Sequence, residues 1–87
     1  MDVILLNNFT RRYRKKTPQK RDRVEEAIRK LVIYGRSYPG LNVHRVEGTE
    51  KVYEAYVGGS LRLTFEVEGG AYVLRNCCEH DAVLRQP

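Results

Sequence analysis

Residues 61–67 alternate strictly: Leu61, Leu63, Phe65 and Val67 are apolar, and Arg62, Thr64 and Glu66 between them are polar. A period of two is the mark of a strand with one face in a core and one turned away from it. Gly58-Gly59 and Gly69-Gly70 flank this run and separate it from two more strand-like runs. Gly-Gly between such runs signals hairpins, because tight hairpin turns need positive φ. The pattern predicts a meander over residues 51–57, 60–67 and 71–78.

Upstream the period changes. Val24, Ala27, Ile28, Leu31 and Val32 recur at helical spacing and predict a core-facing stripe. Thr17-Pro18 supplies a capping residue followed by proline at the first helical position, and Gly35 supplies the stop after Tyr34. A shorter helix is expected from a Thr10 cap to Lys16, held by the i,i+4 pair Phe9 and Tyr13. Residues 2–6 are expected to form a buried strand that Asn7-Asn8 ends. Pro39-Gly40 marks a turn, residues 41–47 a further strand with its exit at Gly48-Thr49, and residues 80–85 a short helical turn. The order β-α-α-β-β-β-β defines an α+β fold: two N-terminal helices on one face of a mainly antiparallel, curled sheet, in a single domain over residues 1–87. The other face, which carries Arg62, is expected to be free for a ligand.

Charge sharpens this picture. The chain has 87 residues and a formal net charge of +5. Residues 1–38 hold eleven Lys/Arg against four Asp/Glu, and residues 39–87 hold five against seven. Eight cations fall in one short segment: Arg11, Arg12, Arg14, Lys15, Lys16, Lys20, Arg21 and Arg23. Such asymmetry points to a nucleic-acid-facing surface, or else to a solvated helix face. The apolar start, Val3 to Leu6, is too short for a secretory core or a membrane span, so a cytoplasmic protein without membrane contact is expected. Cys77 and Cys78 are adjacent, which suits reduced packing residues better than a disulfide or a zinc site.

A cation on a rigid sheet, with histidines nearby in a basic protein, suggests work on phosphate. Cleavage of RNA through its 2′-hydroxyl needs a base, an acid, and cations for the charge that builds on phosphorus. Histidine suits proton transfer because its ordinary pKa is about 6.5. The two histidines, His44 and His80, are therefore candidates, and Arg62 and Arg75 can hold phosphate oxygens in a fork. Each has a plainer alternative. Arg62 can pair with Glu54 or Glu66, Arg75 can form an ion pair across the sheet, His44 can be an ordinary edge residue, and His80 with Asp81 can cap the last turn.

Three motifs carry a resemblance. Tyr53-Glu54-Ala55-Tyr56-Val57, then Gly59, then Leu61-Arg62-Leu63-Thr64-Phe65, and the closing His80-Asp81-Ala82-Val83-Leu84-Arg85, resemble the RelE/ParE superfamily of toxins from type II toxin–antitoxin systems. The likeness spans essentially the whole chain. It implies an endoribonuclease (mRNA interferase) of the RelE-like or YafQ-like branch, which cuts mRNA in the ribosomal A site without a metal or other cofactor. It implies a cognate antitoxin, mRNA and the ribosome as partners, and operator DNA bound by the toxin–antitoxin complex through the antitoxin. The family's strand arginine falls on Arg62, the C-terminal histidine of YafQ-like members on His80 with Asp81 in the same motif, a second histidine on His44, and a further basic position near Arg75. The cations from Arg11 to Arg23 would face ribosomal RNA. Two departures stand out. Ala55 and Tyr56 occupy the neighbourhood where members often have arginine, and Leu84 falls near the tyrosine of RelE-like members. These leave two other readings open, a ParE-like inhibitor of DNA gyrase and a basic RNA-binding module without catalysis.

Overall fold

Both glycine pairs make the turns that the alternation asks for. In the computed structural model, which describes residues Met1–Pro87, Gly59 has φ 57°, and Gly69 and Gly70 have φ 57° and 79°. Side chains with a Cβ rarely adopt this left-handed region. The elements are β1 (Asp2–Leu5), α1 (Asn7–Arg14), α2 (Pro18–Tyr34), β2 (His44–Arg45), β3 (Tyr53–Gly58), β4 (Leu61–Glu68) and β5 (Ala71–Glu79). Single 3₁₀ turns lie at Pro39–Leu41 and His80–Ala82. The sheet order is β1-β5-β4-β3-β2, antiparallel throughout except that β1 runs parallel to β5. This is the expected α+β architecture, with both helices on one face.

The core lies between helices and sheet. Phe9 of α1 and Val24, Ala27 and Leu31 of α2 meet Ala55, Leu61, Leu63, Phe65, Tyr72, Leu74 and Cys77 of the strands. Phe65 joins the meander laterally, stacked on Tyr53 and edge-on to Tyr72. Each large apolar side chain buried this way stabilises the fold by roughly 1.5–3 kcal/mol. The start and stop of α2 are as the sequence predicts. Thr17 Oγ1 accepts from Lys20 N at 3.3 Å, and Gly35, at φ 83°, donates its N–H to Leu31 O.

Four expectations are corrected. First, β1 is exposed along its whole length, because α1 packs on β5 and leaves β1 as an uncovered edge. Second, α1 begins at Asn7, not after Thr10. Leu6 O accepts from Thr10 N while Leu6 N still bonds Leu74 O, so the chain passes from strand to helix without a loop. Third, the strand expected over residues 41–47 shrinks to His44–Arg45, because Pro39–Leu41 forms a 3₁₀ turn and Asn42 takes a left-handed conformation (φ 44°). Fourth, Val32 faces outward and the buried stripe of α2 is Val24, Ala27 and Leu31.

The second face of the sheet is only partly free. A small cluster of Val46, Val52, Cys78 and Val83 lies there. The C-terminal tail crosses beside it: Asn76 Nδ2 donates to Gln86 O at 2.7 Å, and Thr64 Oγ1 to Pro87 O at 2.7 Å. What stays open is the end of the sheet around β2, the start of β3 and the 80–84 turn.

Candidate active site

Strand register assembles the site. Glu54 pairs with His44 on one side and Thr64 on the other; Tyr56 pairs with Arg62, and Arg62 with Cys78. Alternation sends Glu54, Tyr56 and Arg62 to the face away from the helices. The 3₁₀ turn after β5 then folds His80 back, and His80 N donates to Ser60 O at 2.7 Å.

Glu54 is the centre of the arrangement. Its side chain is only 5 % exposed, and three cationic or ring groups meet it. His80 Nδ1 lies 2.9 Å from Oε2, Arg62 Nε 3.3 Å from the same oxygen, and His44 Nε2 3.2 Å from Oε1. A buried carboxylate is tolerable only when paired and hydrogen-bonded in this way. A carboxylate oxygen accepts, so the ring nitrogens facing it carry hydrogens. For His80 this leaves Nε2 without a protein partner. His44 is held at both nitrogens, since its Nδ1 also lies 3.0 Å from Asn42 O. Arg62 is fixed further by Nη1, which donates to Gly59 O at 2.8 Å and Leu61 O at 3.1 Å, and its guanidinium lies 5.0 Å from the Tyr56 ring centre. Nη2 keeps its donors free.

A cleft of about 410 Å³ opens beside the group, lined by His44, Arg45, Glu54, His80, Asp81 and Leu84 among others. Asp81 is exposed in it and makes no ion pair. Arg62 does not line this cleft and reaches it through the shared Glu54 oxygen. Leu84 stands at the mouth, strongly exposed, with no group for proton transfer.

Of the candidate residues, the structure thus brings Arg62, His44, His80 and Asp81 together. Arg75 is elsewhere. Thr64 pairs with Asn76 and Phe65 with Leu74, so Arg75 is the extra residue of a β-bulge and its side chain is re-aimed. It forms an ion pair with Glu66 and donates from Nε to Pro87 O at 3.2 Å, beside Asn8 and Arg11. The ion-pair alternatives therefore hold for both strand arginines, Arg62 with Glu54 and Arg75 with Glu66. Glu54 is the site residue that sequence reasoning misses. The signal for it is its place in the motif, two positions before Tyr56 on the same face as Arg62.

The helical cations make a nearly uncompensated surface. Of the eight, only Lys20 forms an ion pair, with Glu79 at 3.9 Å. Arg11 donates to Asn8 Oδ1, Arg12 to Gln86 Oε1, and Arg21 to Lys16 O. Arg14 and Lys15 line an open, wholly polar hollow with Asn7, Thr10 and Arg11. Lys20 and Arg23 bring this basic flank to the β3–β4 turn, Arg23 lying against Gly58.

Both cysteines are free and buried, Cys77 in the core behind the site and Cys78 in the small cluster on the site's own face. Burial pushes the Cys77 thiol up to about 11 and raises that of Cys78 as well.

Neither a protein-family model nor a curated protein matches this chain in sequence. Solved structures do match it in shape, and they define the class: the chain has the RelE/YoeB-like toxin fold. YafQ from E. coli superposes with a TM-score of 0.76 at 12% identity, covering 94% of this chain and 96% of that one. RelE of the RelB–RelE antitoxin–toxin complex from Methanococcus jannaschii gives 0.74 at 15% identity, covering 94% and 95%. YoeB from Staphylococcus aureus, solved as a dimer, gives 0.76 at 12% identity, covering 92% and 97%. No helix of the structure is long and apolar enough to cross a membrane.

Proposed function

We propose that this chain is the toxin of a type II toxin–antitoxin system and acts as a metal-independent, ribosome-dependent endoribonuclease that inhibits translation. The observation that carries the reading is the convergence of His44, His80 and Arg62 on Glu54 at the edge of an open cleft. The fold supports the toxin part of it, and the RelB–RelE complex supports an antitoxin as partner.

The residues divide the chemistry as follows. A phosphodiester lies at the edge of the cleft, where His80 Nε2 and Arg62 Nη2 are the groups left without a protein partner. The 2′-hydroxyl attacks phosphorus and the 5′-oxygen leaves; one proton is taken from the first and one given to the second. His80 Nε2 is the free ring nitrogen and performs one of these transfers, which is worth roughly 10²–10⁴-fold. Asp81, exposed in the same cleft, is the second proton-exchanging group. Arg62 Nη2, whose donors are free, stabilises charge on the phosphoryl oxygens, while His44, engaged at both nitrogens by Glu54 and Asn42, helps hold Glu54 in place. Glu54 touches no substrate atom. It fixes the hydrogen on His80 Nδ1 and so sets Nε2 for proton exchange, in the manner of an orienting carboxylate. Arg75 has no part in this scheme. The cations of α1 and of the start of α2 hold ribosomal RNA.

Induction of the chain alone should arrest growth, and primer extension on cellular mRNA should show codon-phased cuts. His80→Ala should relieve the arrest while the protein stays folded. Arrest with intact mRNA and DNA-damage signalling would replace this reading with inhibition of gyrase.

A further inference from the structure

Tyr56 is the one large aromatic side chain on the site's face of the sheet that the fold leaves exposed, at 41 %. The reason is local. β2 covers β3 only at Tyr53 and Glu54, so two residues further on the strand has no neighbour on that side. The ring is nonetheless held. Its hydroxyl accepts from Gly59 N at 3.0 Å, in a turn whose left-handed Gly59 aims that N–H at it, and the Arg62 guanidinium lies 5.0 Å from its centre. Beside it is a small hollow of about 140 Å³ that Tyr56 lines together with Arg23, Glu26, Lys30 and Leu41. Arg23 and Lys30 form no ion pair.

An exposed ring with its conformation already fixed, next to an arginine and flanked by unpaired cations, is what a single-stranded nucleic acid uses. Bases stack on such rings whatever their sequence, and the surrounding cations track the backbone. A tyrosine serving packing alone would bury its ring. Here the polar end is tied down, Arg62 lies over one face of the ring, and the rest of it stays exposed.

We propose that Tyr56 is the stacking platform for the nucleobase next to the phosphate held by Arg62. This rests on the RNA-cleaving reading above.

The test uses ribosomes programmed with a short mRNA and, in parallel, the same mRNA with one nucleotide of the A-site codon made abasic at a time. On intact mRNA, Tyr56→Leu should cut ten- to a hundredfold more slowly in kcat/KM, and Tyr56→Phe, which keeps the ring but loses its tie to Gly59, should fall between Tyr56→Leu and wild type. At one abasic position wild type should fall to the level of Tyr56→Leu, and Tyr56→Leu should lose nothing more. Equal losses for Tyr56→Leu on intact and abasic mRNA would make the ring a mere prop for Arg62 and overturn the inference, as would full activity of Tyr56→Leu. Wild type that cuts no mRNA would overturn the nuclease reading itself and this inference with it.

Discussion

His80 Nδ1 and Glu54 Oε2 stand 2.9 Å apart, and the same oxygen takes Arg62 Nε at 3.3 Å. A proton-transfer candidate and a phosphate-binding candidate are thereby locked to one buried atom. Glu54→Gln keeps the shape but removes the charge and one acceptor. Cleavage is expected to fall by tenfold or more, as His80 loses its fixed orientation. Stability is expected to fall by about 1–3 kcal/mol, from leaving polar partners unmatched. Single-turnover cleavage and urea unfolding measure the two separately.

The two strand arginines should behave differently. Arg62→Lys keeps the charge but loses the fork and the stack on Tyr56, and should lower cleavage strongly with little loss of fold. Arg75→Ala breaks a partly exposed pair with Glu66, worth at most about 1 kcal/mol, and should leave cleavage near wild type. A large loss of cleavage in folded Arg75→Ala would move the reacting centre along β5, away from Glu54.

Arg14 and Lys15 are free to meet phosphate. Ribosome affinity should fall steeply as salt rises, with log K linear in log salt concentration. Replacing both residues by alanine should flatten that slope by roughly one to two units, about 0.7–0.9 for each phosphate no longer neutralised. An unchanged slope would assign the basic flank to solvent.

Alkaline pH should destabilise the fold through Cys77. Its folded-state value is raised by burial from the ordinary 9.0 to about 11. Between these values the unfolded chain has lost the thiol proton and the folded chain keeps it. Unfolding is therefore favoured progressively as pH rises through this window, by about 2–3 kcal/mol at its top. Cys77→Ala should lower stability at neutral pH but remove most of this alkaline limb, as denaturant midpoints from pH 8 to 11 will show.

The sequence reveals the scaffold where local chemistry and tertiary demand coincide. Thr17-Pro18, Gly35 and the two glycine pairs each specify a backbone state that only a few residue types fill, and each element boundary there is close to expectation. Legibility fails where a neighbour decides. Residues 2–6 read as a buried strand because they are apolar, yet burial needs a covering element, and α1 goes to β5 instead. Arg75 falls near a basic position of the resembled family, and a bulge turns it aside. Glu54 looks like any outward carboxylate of an alternating strand. Only the strand register and the returning 80–84 turn reveal that two histidines and an arginine close over it.

The uncovered side of β1 has a practical meaning. Val3, Ile4 and Leu5 lie on a sheet margin whose outward amides and carbonyls have no partner strand, with Asp2 the only charge among them. Such a margin accepts any extended chain that comes near it. At high concentration, then, a solitary molecule of this kind tends to stick to its neighbours, and handling it is easiest when something else already lies along that rim.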